Sequence, residues 1–145
     1  MELAELRAIA EREQQRRKPI CLRCCMAAGC LSSDARTVKE RLEQAIAEAG
    51  LQDKVEVRGV GCLRLCSQGP LVQVDPDGTY YANVTPETAP AVIAALAGSG
   101  DGEAPAPRTI EPDHPFFARQ MPVVLENSGR VDPERIGAYL AAGGY

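Results

Sequence analysis

The cysteines are the feature of this sequence that most constrains its fold, because they fall into two groups on short segments that contain glycine. The first group holds Cys21, Cys24, Cys25 and Cys30, and the second holds Cys62 and Cys66. In a reducing compartment, clustered thiols more often bind metal or carry out redox chemistry than form structural disulfides. We therefore expect a fold in which these thiols serve a metal or redox site.

Composition excludes several other classes of protein. The chain has no apolar run of about 18 residues and no secretory signal at its charged N-terminus, which predicts a cytoplasmic protein without a membrane span. With 16 basic and 20 acidic residues, the net charge of -4 disfavours binding to nucleic acid phosphates. An aromatic content of 4%, without Trp, also disfavours stacking platforms for bases or sugars.

The chain of 145 residues is about one domain long, and its composition divides it into four segments. We expect an amphipathic helix in residues 1–18, a folded domain in 19–97, a flexible linker in 98–107 and a C-terminal tail in 108–145. The tail holds too little apolar surface for a core of its own. We therefore expect a protein surface outside the domain to hold the tail, with the linker keeping it off the core.

Residue patterns in the domain predict a strand, a helix, a second strand, a hairpin and a further helix. Strands are predicted from Ile20 and over 54–58, and the Asp77-Gly78 step predicts a hairpin that joins 71–74 to 79–82. Helices are predicted over 33–49 with Gly50 at the end, from Thr85-Pro86 to Leu96, and from Asp132 in the tail. This order indicates a small α/β sheet with helices packed on it. If the first two strands are parallel neighbours, both cysteine loops leave the same edge of the sheet.

The spacing of four cysteines favours an iron-sulfur centre. Cys25 and Cys30 are separated by four residues, and Cys62 and Cys66 by three. Two such pairs of thiolates can supply the four ligands of a 2Fe-2S cluster, although the spacing differs from that of plant-type and bacterial ferredoxins. His114 is the only histidine, which excludes a Rieske site and assigns this residue to the surface.

Three other interpretations of the thiols stay open. Cys21-x2-Cys24 and Cys62-x3-Cys66 together would also present four thiolates, which suits a structural zinc ion. A dithiol oxidoreductase that uses Cys21 and Cys24 is weaker, because that motif works at a helix N-terminus and these residues lie in a predicted strand. Four reduced structural thiols are the third interpretation, but buried free cysteines rarely pair on glycine loops. We assign Cys21 and Cys24 to the strand or to the surroundings of the metal site.

Residues 19–97 carry a specific combination of motifs. These are Cys25-Met-Ala-Ala-Gly-Cys30 before a helix, then Gly61-Cys62, Cys66, Gly69-Pro70, Gly78, Tyr81 and Pro86-Glu87. Together they resemble the thioredoxin-like 2Fe-2S ferredoxin domain of the 24-kilodalton-type subunit of respiratory complex I and of flavoprotein subunits of NAD(P)-linked hydrogenases and formate dehydrogenases. The tail from His114 to Tyr145 resembles the opening of the flavoprotein subunit that binds FMN and NADH.

The resemblance implies a thioredoxin-like α/β fold with flanking helices and an extended C-terminal tail. It implies one 2Fe-2S cluster bound by Cys25, Cys30, Cys62 and Cys66, in an electron-transfer module of an NAD(P)-linked multisubunit oxidoreductase. The implied partners are the flavoprotein that binds FMN and NADH and other iron-sulfur subunits. Because the sequence has no glycine-rich nucleotide loop, we expect this chain, whether fragment or short subunit, to bind neither FMN nor NADH and to have no catalysis of its own. The alternatives are an assembly module without a redox role and a four-cysteine zinc domain.

Overall fold

The computed structural model describes residues 2–98 and 105–145, so positions 99–104 of the predicted linker lie outside the described residues. The helices are α1 (Leu3–Gln15), α2 (Ala28–Leu31), α3 (Ala35–Glu48), α4 (Ala89–Leu96), α5 (Pro115–Ala118) and α6 (Ile136–Ala141). The strands are β1 (Ile20–Cys25), β2 (Val55–Val60), β3 (Val72–Asp75), β4 (Tyr80–Ala82) and β5 (Arg108–Ile110). Within the described ranges, no helix has the length and apolar character needed to cross a membrane.

The five strands form one sheet in the order β2-β1-β3-β4-β5. β1 and β2 are parallel, and every other pair of neighbours is antiparallel. Cys25 at the end of β1 lies beside Val60 at the end of β2, so the loops that follow these strands leave the same edge of the sheet. The predicted α/β sheet, the hairpin and the shared edge are confirmed.

The larger core lies between the sheet and the helices α3 and α4. Side chains alternate along β1, so Leu22 and Cys24 both face this core, where they are fully buried. α3 contributes Val38, Leu42 and Ile46, which recur at helical spacing on one face. Burying a side chain such as Leu42 is worth about 2 kcal/mol, and this face therefore fixes α3 on the sheet.

The helix α4 begins at Ala89 and not at the predicted Thr85-Pro86 start. Pro90 accounts for the difference. In a helix that started at Pro86, Pro90 would lack the N–H that bonds to the Pro86 carbonyl, and its ring would clash with that carbonyl. In the first turn of α4, Pro90 has no such bond to lose. Thr85 and Thr88 close a turn before the helix, in which the Thr85 N–H donates to the Thr88 hydroxyl at 2.9 Å.

The predicted end of α3 is confirmed, and the predicted start of α6 is wrong. Gly50 follows α3 with a φ of +67°, the left-handed conformation that a glycine after a helix supplies. α6 begins at Ile136 and not at Asp132. The Asp132 carboxylate accepts a hydrogen bond from the Glu134 N–H at 3.0 Å, and this holds the chain in a turn before the helix.

The tail packs back on the domain, and the prediction that it lies off the core is wrong. β5 extends the sheet beyond β4, with Ile110 beside Tyr80. Phe117 is buried, and its ring stacks on Tyr80 with the two ring centroids 4.3 Å apart. α6 packs against α1, where Arg135 forms an ion pair with Glu13 at 2.8 Å. The surface that holds the tail is therefore the domain itself together with the N-terminal helix.

Candidate metal centre

Four of the six cysteines lie at the sheet edge where β1 and β2 end. Cys25 is the last residue of β1, and Cys30 lies in the short helix α2 that follows. Cys62 follows β2, and Cys66 opens a short 3-10 turn over Cys66–Gln68. Each pair is thus carried by a loop that starts from the same edge, because β1 and β2 are parallel.

These four thiols contact one another in a chain and not around one point. The sulfurs of Cys62 and Cys66 are 4.0 Å apart, and the thiols of Cys30 and Cys62 lie close enough to Cys25 to lower the pKa of its thiol. In the part of the chain that the structure describes, no three His, Cys, Asp or Glu side chains surround the position of a single metal ion. An elongated set of four soft sulfur donors, two from each loop, fits the ligand requirement of a two-iron cluster.

Backbone N–H groups point at the sulfurs of the buried pair. The N–H groups of Leu63 and Ala27 act to lower the pKa of Cys25, and that of Leu71 acts to lower the pKa of Cys30. Hydrogen bonds of this kind stabilise negative charge on sulfur and are one means by which a protein tunes an iron-sulfur centre. Leu63 belongs to the second cysteine loop, so its donation to Cys25 also links the two loops.

Arg64 lies between Cys62 and Cys66 and has a φ of +75°, in the left-handed region that few residues other than glycine adopt. In this conformation the Arg64 N–H donates to Cys62 Sγ at 3.2 Å. The guanidinium lies over the ring of Phe117, 5.7 Å from its centroid. Nothing in the sequence identifies Arg64 as part of this site, because neither its residue type nor its spacing indicates this backbone conformation.

The buried thiols Cys25 and Cys30 share a hydrogen bond that separates their pKa values. The hydrogen bond that the Cys30 thiol donates lowers the pKa of Cys25 to about 6, against the opposing effect of burial. The same hydrogen bond, followed by burial, raises the pKa of Cys30. For Cys62, burial is the largest cause and raises the pKa. The pKa of Cys25 is therefore shifted in favour of the thiolate, which is the form that binds metal.

The four thiols are buried on one side and open on the other. Cys25 and Cys30 are each 1% exposed, whereas Cys62 is half-buried and Cys66 is exposed. A metal centre held here is therefore shielded from water by the core and is reachable from the Cys66 side.

Glycine lets the two loops approach each other closely. A Cβ atom at Gly69 would lie 2.8 Å from Cys30 Sγ, which is too close for two atoms that are not bonded. The φ of Gly69 is -73°, so space and not backbone conformation requires glycine at this position. A Cβ atom at Gly29 would lie 3.6 Å from Cys66 Sγ, which is an ordinary contact.

Cys21 and Cys24 do not join the other thiols. They are three residues apart on β1, so their side chains point to opposite faces of the sheet. The Cys24 thiol lies in the core beneath α3 and donates to the Ala35 carbonyl at 3.8 Å. Burial is the main cause that raises the pKa of each of these thiols to about 12, which keeps both protonated. A zinc site that uses Cys21-x2-Cys24 is therefore incompatible with this strand.

His114 lies in the tail, outside the group of thiols. Its Nδ1 accepts a hydrogen bond from the Phe116 N–H at 3.2 Å and so caps α5. Because α5 carries Phe117, this cap supports the packing of the tail on Tyr80.

The tail also closes over the second cysteine loop, which the sequence analysis did not anticipate. The Ser128 hydroxyl donates to the Cys62 carbonyl at 3.0 Å. A Cβ atom at Gly129, which has a φ of +77°, would lie 2.7 Å from a methyl carbon of Leu63. The only signal for this contact in the sequence is a glycine in the tail, and a lone glycine does not identify its neighbour.

Comparisons with known proteins give relatives for the domain that carries these thiols. The family described as thioredoxin-like 2Fe-2S ferredoxin matches residues 11–97. A protein named "Ferredoxin, 2Fe-2S" from Clostridium pasteurianum is 31% identical over 72 residues, which are 50% of this chain and 71% of that relative. The thioredoxin-like 2Fe-2S ferredoxin from Aquifex aeolicus is 22% identical, with a TM-score of 0.52, over 60% of this chain and 93% of that one, which shows a common fold. A cysteine-to-serine variant of the same ferredoxin is 25% identical, with a TM-score of 0.50, over 55% of this chain and 88% of that one.

Proposed function

Because the chain belongs to the family of thioredoxin-like 2Fe-2S ferredoxins, we propose that it is the electron-transfer module of an NAD(P)-linked multisubunit oxidoreductase. Members of the family carry a 2Fe-2S cluster, and so does this chain. In the proposal, the four ligands of the cluster are Cys25, Cys30, Cys62 and Cys66.

One observation carries the assignment of the ligands, namely the contact between two pairs of thiols from two loops at one sheet edge. The thiols of both Cys30 and Cys62 lie close enough to Cys25 to lower its pKa, so Cys25 joins the first pair to the second. Cys66 contacts Cys62 and completes a set of four soft donors. Neither Cys21 nor Cys24 contacts this set. Cys24 faces the other side of the sheet, and Cys21 lies four residues before Cys25 on β1, about 13 Å away along the strand.

The protein prepares the site for one-electron chemistry. When bound, a 2Fe-2S cluster supplies reversible one-electron oxidation and reduction. The N–H groups of Leu63, Ala27 and Leu71 stabilise negative charge on the sulfurs of Cys25 and Cys30. The core excludes water on the side of this pair, and the exposure of Cys66 leaves a short route for an electron to a partner.

The proposed partners are a flavoprotein subunit that binds FMN and NADH and other iron-sulfur subunits. The resemblance of residues 114–145 to the opening of such a flavoprotein supports this choice. An exposed apolar segment, 121–125, lies beside Arg64 in the second cysteine loop, and surfaces of this kind are typical of subunit interfaces. A partner bound there would lie close to the open side of the thiols.

A visible absorption spectrum tests the proposal against a zinc site and against bare thiols. We expect the purified protein to be brown, to contain about two irons per chain and to lose part of its colour on one-electron reduction, because one of the two irons stays ferric. Zinc and free thiols absorb no visible light. A colourless protein with about one zinc per chain would contradict the proposal.

Serine substitutions test the ligand assignment. We expect Cys25→Ser, Cys30→Ser, Cys62→Ser and Cys66→Ser each to abolish or shift the visible spectrum, because each removes one thiolate from iron. The matched controls Cys21→Ser and Cys24→Ser should keep the spectrum, and far-UV circular dichroism verifies that all six variants fold. A bleached Cys21→Ser protein beside an unchanged Cys25→Ser protein would show that the assignment is wrong.

A further inference from the structure

Two arginines lie side by side on the sheet face that is turned away from α3 and α4. Arg23 on β1 and Arg58 on β2 are register partners, and both side chains are mostly buried. Like charges at such neighbouring positions destabilise a sheet unless they are neutralised. One carboxylate serves each arginine, since Arg23 Nη2 lies 2.7 Å from Asp75 Oδ1 and Arg58 forms an ion pair with Glu56.

The tail packs beside this pair of arginines, and together they line a cationic cavity. Arg17 after α1 and Arg130 in the tail join Arg23 and Arg58 around an open cavity of about 370 Å³, in which Asp75 is the only lining carboxylate. Four guanidinium groups against the two carboxylates of Asp75 and Glu56 leave a net positive site in a chain whose net charge is -4. Such a site attracts anions.

One hydrogen-bond donor of Arg23, the Nε–H group, has no partner in the part of the chain that the structure describes. Its Nη1 donates to the Gly129 carbonyl at 2.7 Å, and its Nη2 pairs with Asp75. Its Nε is buried without a hydrogen-bond partner, and among the described residues it is the only buried side-chain nitrogen or oxygen in that state. A buried donor without a partner costs free energy. An anion would reach this Nε only if the Arg23 side chain or its neighbours shifted when the anion bound.

We propose that this cavity binds a small phosphate-bearing anion. Guanidinium groups hold phosphate oxygens with paired hydrogen bonds, and several of them together suit an anion with more than one charge. The volume exceeds that of one inorganic phosphate, so a diphosphate or a phosphate ester fits better. Because residues from the segment after α1, from β1, from β2 and from the tail all line the cavity, the ligand would also hold the tail on the domain.

Titration calorimetry with pyrophosphate tests the proposal on the full chain with its cluster. We expect saturable binding at one site with a Kd below about 1 mM. The double variant Arg17→Gln/Arg130→Gln removes the two exposed arginines and spares Arg23, so we expect it to fold and to bind at least about tenfold more weakly. The control Arg7→Gln/Arg119→Gln makes the same change in net charge outside the cavity, and its Kd should stay within about twofold of the original.

The other outcomes count against the proposal. Absence of saturable binding to the unmodified chain would overturn it, and so would equal weakening in the control, which would show attraction to net charge alone. Citrate serves as a carboxylate probe, and tighter binding of citrate than of pyrophosphate would overturn the choice of phosphate. Thermal unfolding supplies a second readout, because a ligand that binds only the folded chain raises the Tm of the original protein and raises that of the double variant less.

Discussion

Adjacent residues on β1 give two cysteines opposite chemical properties. Cys24 lies in the core beneath α3, where burial raises its thiol pKa to about 12. Cys25 faces the other side of the sheet and has a pKa of about 6, because the Cys30 thiol donates to its sulfur. The pleat of the strand therefore decides which of two neighbouring thiols is available to a metal.

Gly69 gives a prediction at the scale of one residue. Substitution Gly69→Ala puts a methyl group where Cys30 Sγ and the Cys66 carbonyl already lie, 2.8 Å and 3.3 Å away. Because the neighbours are a proposed ligand and a backbone atom, we expect a loss of about 1–3 kcal/mol in the free energy of unfolding, together with a lower iron content per chain. Urea unfolding and iron analysis measure the two effects.

Gly29→Ala is the matched control on the first cysteine loop. A methyl group there meets Cys66 only at ordinary contact distance, and alanine favours the helix α2 in which Gly29 lies. We expect a change of less than about 0.5 kcal/mol and a full iron content. Equal effects of the two substitutions would show that close approach at Gly69 has no special role.

At the residue scale, the sequence predicts which thiols come together but not the groups around them. Spacing and glycines favour a group of Cys25, Cys30, Cys62 and Cys66 but leave a set with Cys21 and Cys24 open, and the structure brings the first four close together. The N–H donors to the sulfurs depend on loop conformations, such as the positive φ of Arg64, which residue type does not determine.

At the scale of elements, the tail makes contacts that sequence patterns do not predict. The pattern of 108–145 indicates that the tail has to pack on another surface, but it does not identify the domain as that surface. β5 has three residues, of which only Ile110 is buried, so no alternation marks it as a strand. Phe117 finds its partner Tyr80 across a separation of 37 positions, which no local pattern encodes.

Removal of the Phe117 ring tests the packing of the tail. Phe117 is 6% exposed and stacks on Tyr80, so we expect Phe117→Ala to lower the free energy of unfolding by about 3 kcal/mol and to speed amide hydrogen exchange over 108–110. The neighbouring Phe116 is 38% exposed, and Phe116→Ala should cost less than about 1 kcal/mol and leave β5 protected.

The same exchange experiment on the unmodified chain supplies an internal comparison. Residues 121–126 are exposed, and the described structure gives their N–H groups no hydrogen-bond acceptor, so they should exchange fast. The N–H groups of β5 that bond to β4 should exchange slowly. If 108–110 exchanges as fast as 121–126 without any substitution, the tail does not pack on the domain in solution.

At the scale of the whole molecule, both faces of the sheet are covered while the cysteine edge stays open. The helices α3 and α4 cover one face, and the tail packs against the other, with Phe117 in the same cluster of buried residues as Cys25 and Cys30. The exposed apolar segment 121–125 lies on the tail beside Arg64, and its residue Val124 is 94% exposed. Folding of the tail thus places an apolar surface next to the loop that carries Cys62 and Cys66.

A photo-crosslinking side chain at position 124 tests whether this surface contacts the proposed partners. Because interfaces for electron transfer must bring redox centres close together, we expect crosslinks in intact cells from position 124 to a subunit that mass spectrometry and flavin or iron analysis identify as a flavoprotein or an iron-sulfur protein. Position 53 is the control, since Asp53 is exposed and precedes β2, at the opposite end of that strand from Cys62. Crosslinks from position 124 to proteins without a redox cofactor would contradict the proposed docking, and so would equal yields from the two positions. The control matters because both side chains are solvent-exposed, and a difference between them therefore reports their distance from the cysteine edge and not their accessibility.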